Sequence, residues 1–86
     1  DVLVMGIGGV TEAGFSNNNT LLVGSEQKMI EVSRKVIIVA DATKFGRAAM
    51  VPLAPLGVAD LVVSDSSLAP EHRKMLCDAG VEVVLA

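Results

Sequence analysis

At 86 residues, with a net charge of −3 and one cysteine, the chain has room for one domain and for neither an internal disulfide nor a cysteine-based zinc site. Acids and bases are interspersed without a basic run, and there is no Trp or Tyr and only two Phe. This segment therefore lacks both the cation cluster that neutralises nucleic-acid phosphates and the rings on which bases stack.

No apolar run reaches the roughly 20 residues of a membrane span. The composition, 51% hydrophobic and 20% charged, is that expected for the middle of a larger fold, and the single cysteine, Cys77, favours a reducing compartment. The chain opens inside one strand pattern, Asp1 to Met5, and closes inside another, Val83 to Ala86. It is read as a fragment cut at or near strand boundaries.

Val2 to Ile7 has the apolar run of a buried strand, and Gly6, Gly8 and Gly9 cluster where it ends. Glycines there allow close backbone approach, which suits either a pocket lining or a tight turn. They do not make a dinucleotide fingerprint. Thr11 stands at the third glycine position, turn chemistry follows it, and the acid sought about 20 residues on falls at Glu26, inside a predicted helix. No cofactor is expected. Gly14 to Thr20, with three consecutive Asn, reads as a polar loop, either solvated or beside a polar ligand.

A helix is predicted from about Val23 to Arg34, with Ser25 or Thr20 as its N-cap and Met29 and Ile30 in its core face. Arg34 and Lys35 would suit the negative end of its dipole. Val36 to Ala40 follows, rich in β-branched residues and too short for a helix, the pattern of a fully buried parallel strand. Asp41, Thr43, Lys44 and Gly46 come directly after it. In open α/β sheets, ligands bind at the carboxyl ends of strands. A carboxylate and an ammonium three residues apart at such an end are therefore either a site or an ion pair fixing a turn.

Pro52 and Pro55 forbid a continuous helix after Gly46, so a short extended segment and a turn near Pro55–Gly57 are expected. Asp60 to Asp65 repeats the motif of a short apolar strand ending in an acid. A helix from about Leu68 to Ala79, capped by Ser66 or Ser67 and stopped by Gly80, precedes a last strand from Val81 to Leu85. His72, among Glu71, Arg73 and Lys74, is placed on the wet face of that helix, and no metal site is expected. The resulting fold class is α/β, a mostly parallel open sheet with flanking helices.

Three stretches carry a family resemblance: Gly6-Ile7-Gly8-Gly9-Val10 with Gly14 after it, Gln27-Lys28-Met29-Ile30 leading to Val36 through Gly46, and Asp60 to Asp65 followed by Pro70 and Gly80 to Val83. Together they resemble the sensor domain of DeoR-type bacterial transcriptional repressors over nearly the whole chain. The Asp-x-Thr-Lys-Phe-Gly turn is the most specific part, and the family often has Ser where Thr43 stands.

The resemblance implies a ribose-5-phosphate-isomerase-like fold that binds a phosphorylated sugar or related metabolite in a cytoplasmic homo-oligomer. It implies that residues 1–86 are the C-terminal part of one effector-sensing domain. The winged helix-turn-helix that contacts DNA, and the loop that holds the effector's phosphate, would lie outside them. By the same comparison Lys44 is the ligand cation, Asp41 orients it or accepts from a sugar hydroxyl, and Gly6, Gly8 and Gly9 face the same crevice. An enzyme is not expected, since no dense acidic cluster lies beside the glycine turn. A sugar-phosphate isomerase and a purely structural dimerisation domain stand as alternatives.

Overall fold

In the computed structural model, which describes residues 1–86, strands and helices follow in the order β1 (Val2–Gly6), β2 (Gly9–Thr11), β3 (Gly14–Asn17), α1 (Thr20–Val32), β4 (Lys35–Val39), β5 (Val51–Ala54), β6 (Leu61–Ser64), α2 (Pro70–Asp78) and β7 (Glu82–Leu85). The four β-branched runs pair in parallel in the order β1-β4-β6-β7, with Val2 opposite Lys35, Ile37 opposite Leu61 and Leu61 opposite Glu82. This is the expected α/β architecture with a parallel sheet.

Side chains alternate across a sheet, and here only one face is covered. Val36, Ile38, Ala40 and Val62 are buried on it, in one core with Leu68 and Leu76 from the α2 segment. On the other face Val2 and Val4 are 61% and 60% exposed and Val39 46%. Parallel strands normally carry cover on both faces. The expectation that Val36 to Ala40 is fully buried is therefore corrected to a strand buried on one side.

The predicted polar loop is also corrected. Gly14 to Asn17 forms β3, the centre of a three-stranded antiparallel sheet β2-β3-β5, and Phe15 is only 2% exposed in the core. The three Asn each have a partner. Asn17 donates to Glu26 Oε1 at 2.9 Å, Asn18 Oδ1 accepts from Met50 N at 3.2 Å, and Asn19 caps α1 by accepting from Leu21 N and Leu22 N. The cap is thus Asn19, not Ser25 or Thr20.

α1 ends at Val32, before Arg34 and Lys35, whose amides both bond the Asp1 carbonyl instead of sitting in the last turn. It lies along β5, where Gln27 donates to the Leu53 carbonyl at 2.8 Å. Val23 is buried and Ile30 packs on the core, while Met29 and Val32 are exposed, so the core role expected of Met29 is not found.

β5 is the expected extended segment, an edge strand that tolerates Pro52. α2 begins with Pro70 after an Ala69 cap without a side-chain bond, rather than with Ser66 or Ser67. Gly80, at φ +81, ends it as expected. His72 is half-buried, not on the wet face.

Candidate functional site

The carboxyl end of β4 turns at once. Ala42–Lys44 makes one 3₁₀ turn whose cap is Asp41. The Asp41 carboxylate accepts from the Thr43 amide at 2.9 Å and from the Thr43 hydroxyl. Lys44 N bonds the Asp41 carbonyl at 3.1 Å, Phe45 N the Ala42 carbonyl at 3.3 Å, and Gly46 N the Val10 carbonyl at 2.9 Å. Buried Phe45 anchors the turn in the core, and Gly46, at φ +84, takes a conformation that suits glycine.

The ion pair offered as one reading of Asp41 and Lys44 is not formed. The chain has a single ion pair, the exposed Lys74–Asp78 at 3.0 Å. Thr43 takes the role that pairing would have given Lys44, and half-buried Lys44 is left without a carboxylate partner.

Hydrogen bonding from the Thr43 side chain is the main reason the Asp41 carboxyl lies below its ordinary pKa, with the Thr43 amide and the charges of Lys44 and Arg47 acting the same way. A depressed folded-state pKa adds stability above the ordinary value, and that stability disappears as pH falls through the lowered one. We therefore expect an NMR titration of the Asp41 carboxyl carbon to give a midpoint below that of ordinary aspartates. Thr43→Ala should return it toward them, and an unchanged midpoint in Thr43→Ala would refute the assignment.

The glycine stretch reaches the same edge. Gly6 is in register with Val39, and Val10 bridges to Arg47. Gly8 N bonds the Ser16 carbonyl at 3.0 Å. Gly9 has a packing reason of its own: a Cβ there would stand 2.5 Å from the Arg47 carbonyl oxygen and 2.7 Å from Ala49 N. Gly6 has only the Val39 carbonyl within 4 Å of the same position, so its surroundings are open. All five candidate residues thus lie on segments gathered at the carboxyl edge of β1 and β4.

The repeated motif at the end of β6 joins them. Asp65 Oδ2 accepts from Ala42 N at 3.3 Å and Oδ1 from Ser67 N at 3.0 Å, tying the Lys44 turn to the segment leading into α2. The strand-ending acid is visible in the sequence but this bridge is not, because the link is between strands. A cavity of about 210 Å³ opens here, lined by Val39, Asp41, Val63, Ser64 and Asp65. The Ser64 hydroxyl is buried without a hydrogen-bond partner.

A larger hollow of about 440 Å³ lies between Glu12 and α2, where Lys74 and Asp78 already pair with each other. It is lined by none of the strand-end residues. No group of three or more His, Cys, Asp or Glu side chains could hold a metal ion.

The model of the DeoR C-terminal sensor domain matches residues 1–66, which include the glycine stretch, the Lys44 turn and Asp65. The chain belongs to this family. Over 85 residues it is 34% identical to the HTH-type transcriptional regulator GlpR of Haloferax volcanii, covering 98% of this chain and 33% of that protein. Over 86 residues it is 29% identical to an Escherichia coli protein provisionally named the aga operon transcriptional repressor, covering 99% of this chain and 32% of that one. This DeoR-type sensor segment thus spans about a third of the length of the curated relatives it matches. No helix in it is long and apolar enough to cross a membrane.

Proposed function

We propose that this segment is the effector-binding part of a sugar-metabolism transcriptional repressor, with Lys44, Asp41, Gly6, Gly8 and Gly9 facing a phosphorylated sugar or related metabolite. The observation that carries the reading is Lys44. Its turn is held by Asp41–Thr43, by Val10 and by Asp65, none of which uses the ammonium. A half-buried cation without a carboxylate partner, carried on a held turn at a strand's carboxyl end, suits a phosphate or hydroxyl oxygen.

Regulation rather than catalysis fits the strand-end acids. Asp65 spends both oxygens on backbone amides and Asp41 holds its own turn, which favours holding a ligand over abstracting a proton. The names of the relatives support the same role. In this reading a winged helix-turn-helix and a phosphate-holding loop lie elsewhere in a longer cytoplasmic, homo-oligomeric chain. The metabolite acts by binding one arrangement of the repressor more tightly than the other.

The test is a thermal-shift screen of sugar phosphates on the protein as the cell makes it, beside Lys44→Ala. A charge-assisted bond is worth about 1.5–3 kcal/mol, so the variant should bind about ten- to hundredfold more weakly at unchanged baseline stability. No shift of the wild type with any sugar phosphate would overturn the reading. It would then favour a domain whose role is assembly alone.

A further inference from the structure

α2 presents Glu71, Arg73, Lys74 and Asp78 to solvent, but one of its polar residues turns inward. The His72 ring stacks on Phe45 with centroids 5.5 Å apart and planes inclined by 26°. That separation is within the range of favourable aromatic pairs. Its Nε2 lies beside Gly46, close enough that a Cβ there would be 3.4 Å away. Phe45 and Gly46 are the two residues that follow Lys44. On the other side of Lys44, Ala42 N is bound by Asp65, whose second oxygen holds Ser67 N on the way into α2. The lysine therefore sits between two attachments to the same segment, a hydrogen bond before it and a ring stack after it.

We propose that His72 is a positioning residue for Lys44, and that the stack together with the Asp65 bridge couples occupancy of the turn to helix α2. The second half of this proposal rests on the reading of Lys44 as the ligand's cation; the first does not. A ligand that draws the ammonium pulls on Phe45 and Gly46, and α2 is the element on which that pull falls. Reciprocally, the setting of α2 fixes where the ammonium points. The stack needs a flat ring and not a charge, so phenylalanine should substitute for His72 while alanine should not.

The test uses the full chain carrying His72→Ala or His72→Phe, and two readouts. The first is amide hydrogen exchange, which needs no ligand. Losing an aromatic pair should speed exchange of the Lys44, Phe45 and Gly46 amides roughly three- to tenfold, with Ile38 and Val62 in the sheet unchanged. His72→Phe should restore wild-type rates. Unaltered exchange at the turn, an equal rise across the whole sheet, or failure of His72→Phe to restore it would each overturn the positioning role.

The second readout is titration with fructose 6-phosphate and with inorganic phosphate. His72→Ala should weaken binding by the same roughly three- to tenfold, with recovery in His72→Phe. Wild-type affinity in His72→Ala, alongside loosened exchange, would overturn the coupling. If Lys44→Ala leaves binding intact while the exchange result holds, the ligand reading fails and the positioning role stands.

Discussion

Gly14→Ala is expected to cost about 3 kcal/mol or more, a large fraction of the stability of a domain of this size. Gly14 has φ +133, a region that side chains avoid, and it is paired with Thr11 of β2. A Cβ would overlap the Ala54 carbonyl oxygen and stand 3.1 Å from both the Ala54 carbonyl carbon and Pro55 Cα. These are backbone atoms, so no side chain can swing aside to relieve the clash. Urea denaturation should show a lower midpoint at unchanged slope.

Gly24→Ala is the matching control. Gly24 is inside α1, and a methyl group on its Cα would meet nothing within 4 Å, so alanine there should stabilise by roughly 0.5–1 kcal/mol. A loss below about 1 kcal/mol for Gly14→Ala would refute the account.

Phe15→Ala should be of similar size, about 3–5 kcal/mol, the usual cost of emptying a fully buried aromatic position. Phe15 is among the largest fully buried side chains and brings the small sheet into the single core. Phe15→Leu keeps most of the volume and should lose about 1.5 kcal/mol or less. The contrast discriminates sharply. If residues 14–20 were the solvated loop that their polarity suggests, both variants would be near neutral. Thermal melts of the pair would decide it, and a Phe15→Ala midpoint within about a degree of wild type would exclude the buried placement.

Phe15 also shows where the sequence stops being legible. The parallel strands are readable because β-branched runs such as Val36–Val39 and Leu61–Val63 declare themselves within a few residues. The C-terminal end of α2 is readable because Gly80 acts locally, whereas Ser66 and Ser67 mislead about its start. Gly-Phe-Ser-Asn carries no such pattern. It becomes a strand because β2 and β5 lie on either side of it, and the Ser16 hydroxyl links β2 to the segment entering β5 by donating to the Gly9 carbonyl and accepting from Ala49 N. Met29 misleads for the converse reason: it lies on a real helix, but α1 lies against β5 and turns that side outward.

The candidate site divides along the same line. The Asp41–Lys44 turn is visible as a motif, with its alternative of an internal ion pair. That the ion pair does not form depends on Thr43 outcompeting Lys44 for one carboxylate, a matter of side-chain reach within the turn. Asp65 and His72 meet the turn only through the fold. No periodicity in either segment could have paired them with Ala42 and Phe45.

The order β1-β4-β6-β7 across the sheet is also the order in which the strands leave the ribosome. Each new strand docks on the edge left by the previous one, and none must be threaded between two already paired. Assembly can thus advance behind synthesis, and loop closure is spread over successive steps, each growing only slowly with the length of chain enclosed. The residues of the turn that carries Lys44 directly follow β4 and so precede Asp65 and His72 in synthesis. The turn remains unclasped until Asp65 and then His72 emerge. The attachments around Lys44 are therefore completed only by a later segment, so a nascent chain halted after β4 would hold the lysine without the Asp65 bond and the His72 stack on either side of it.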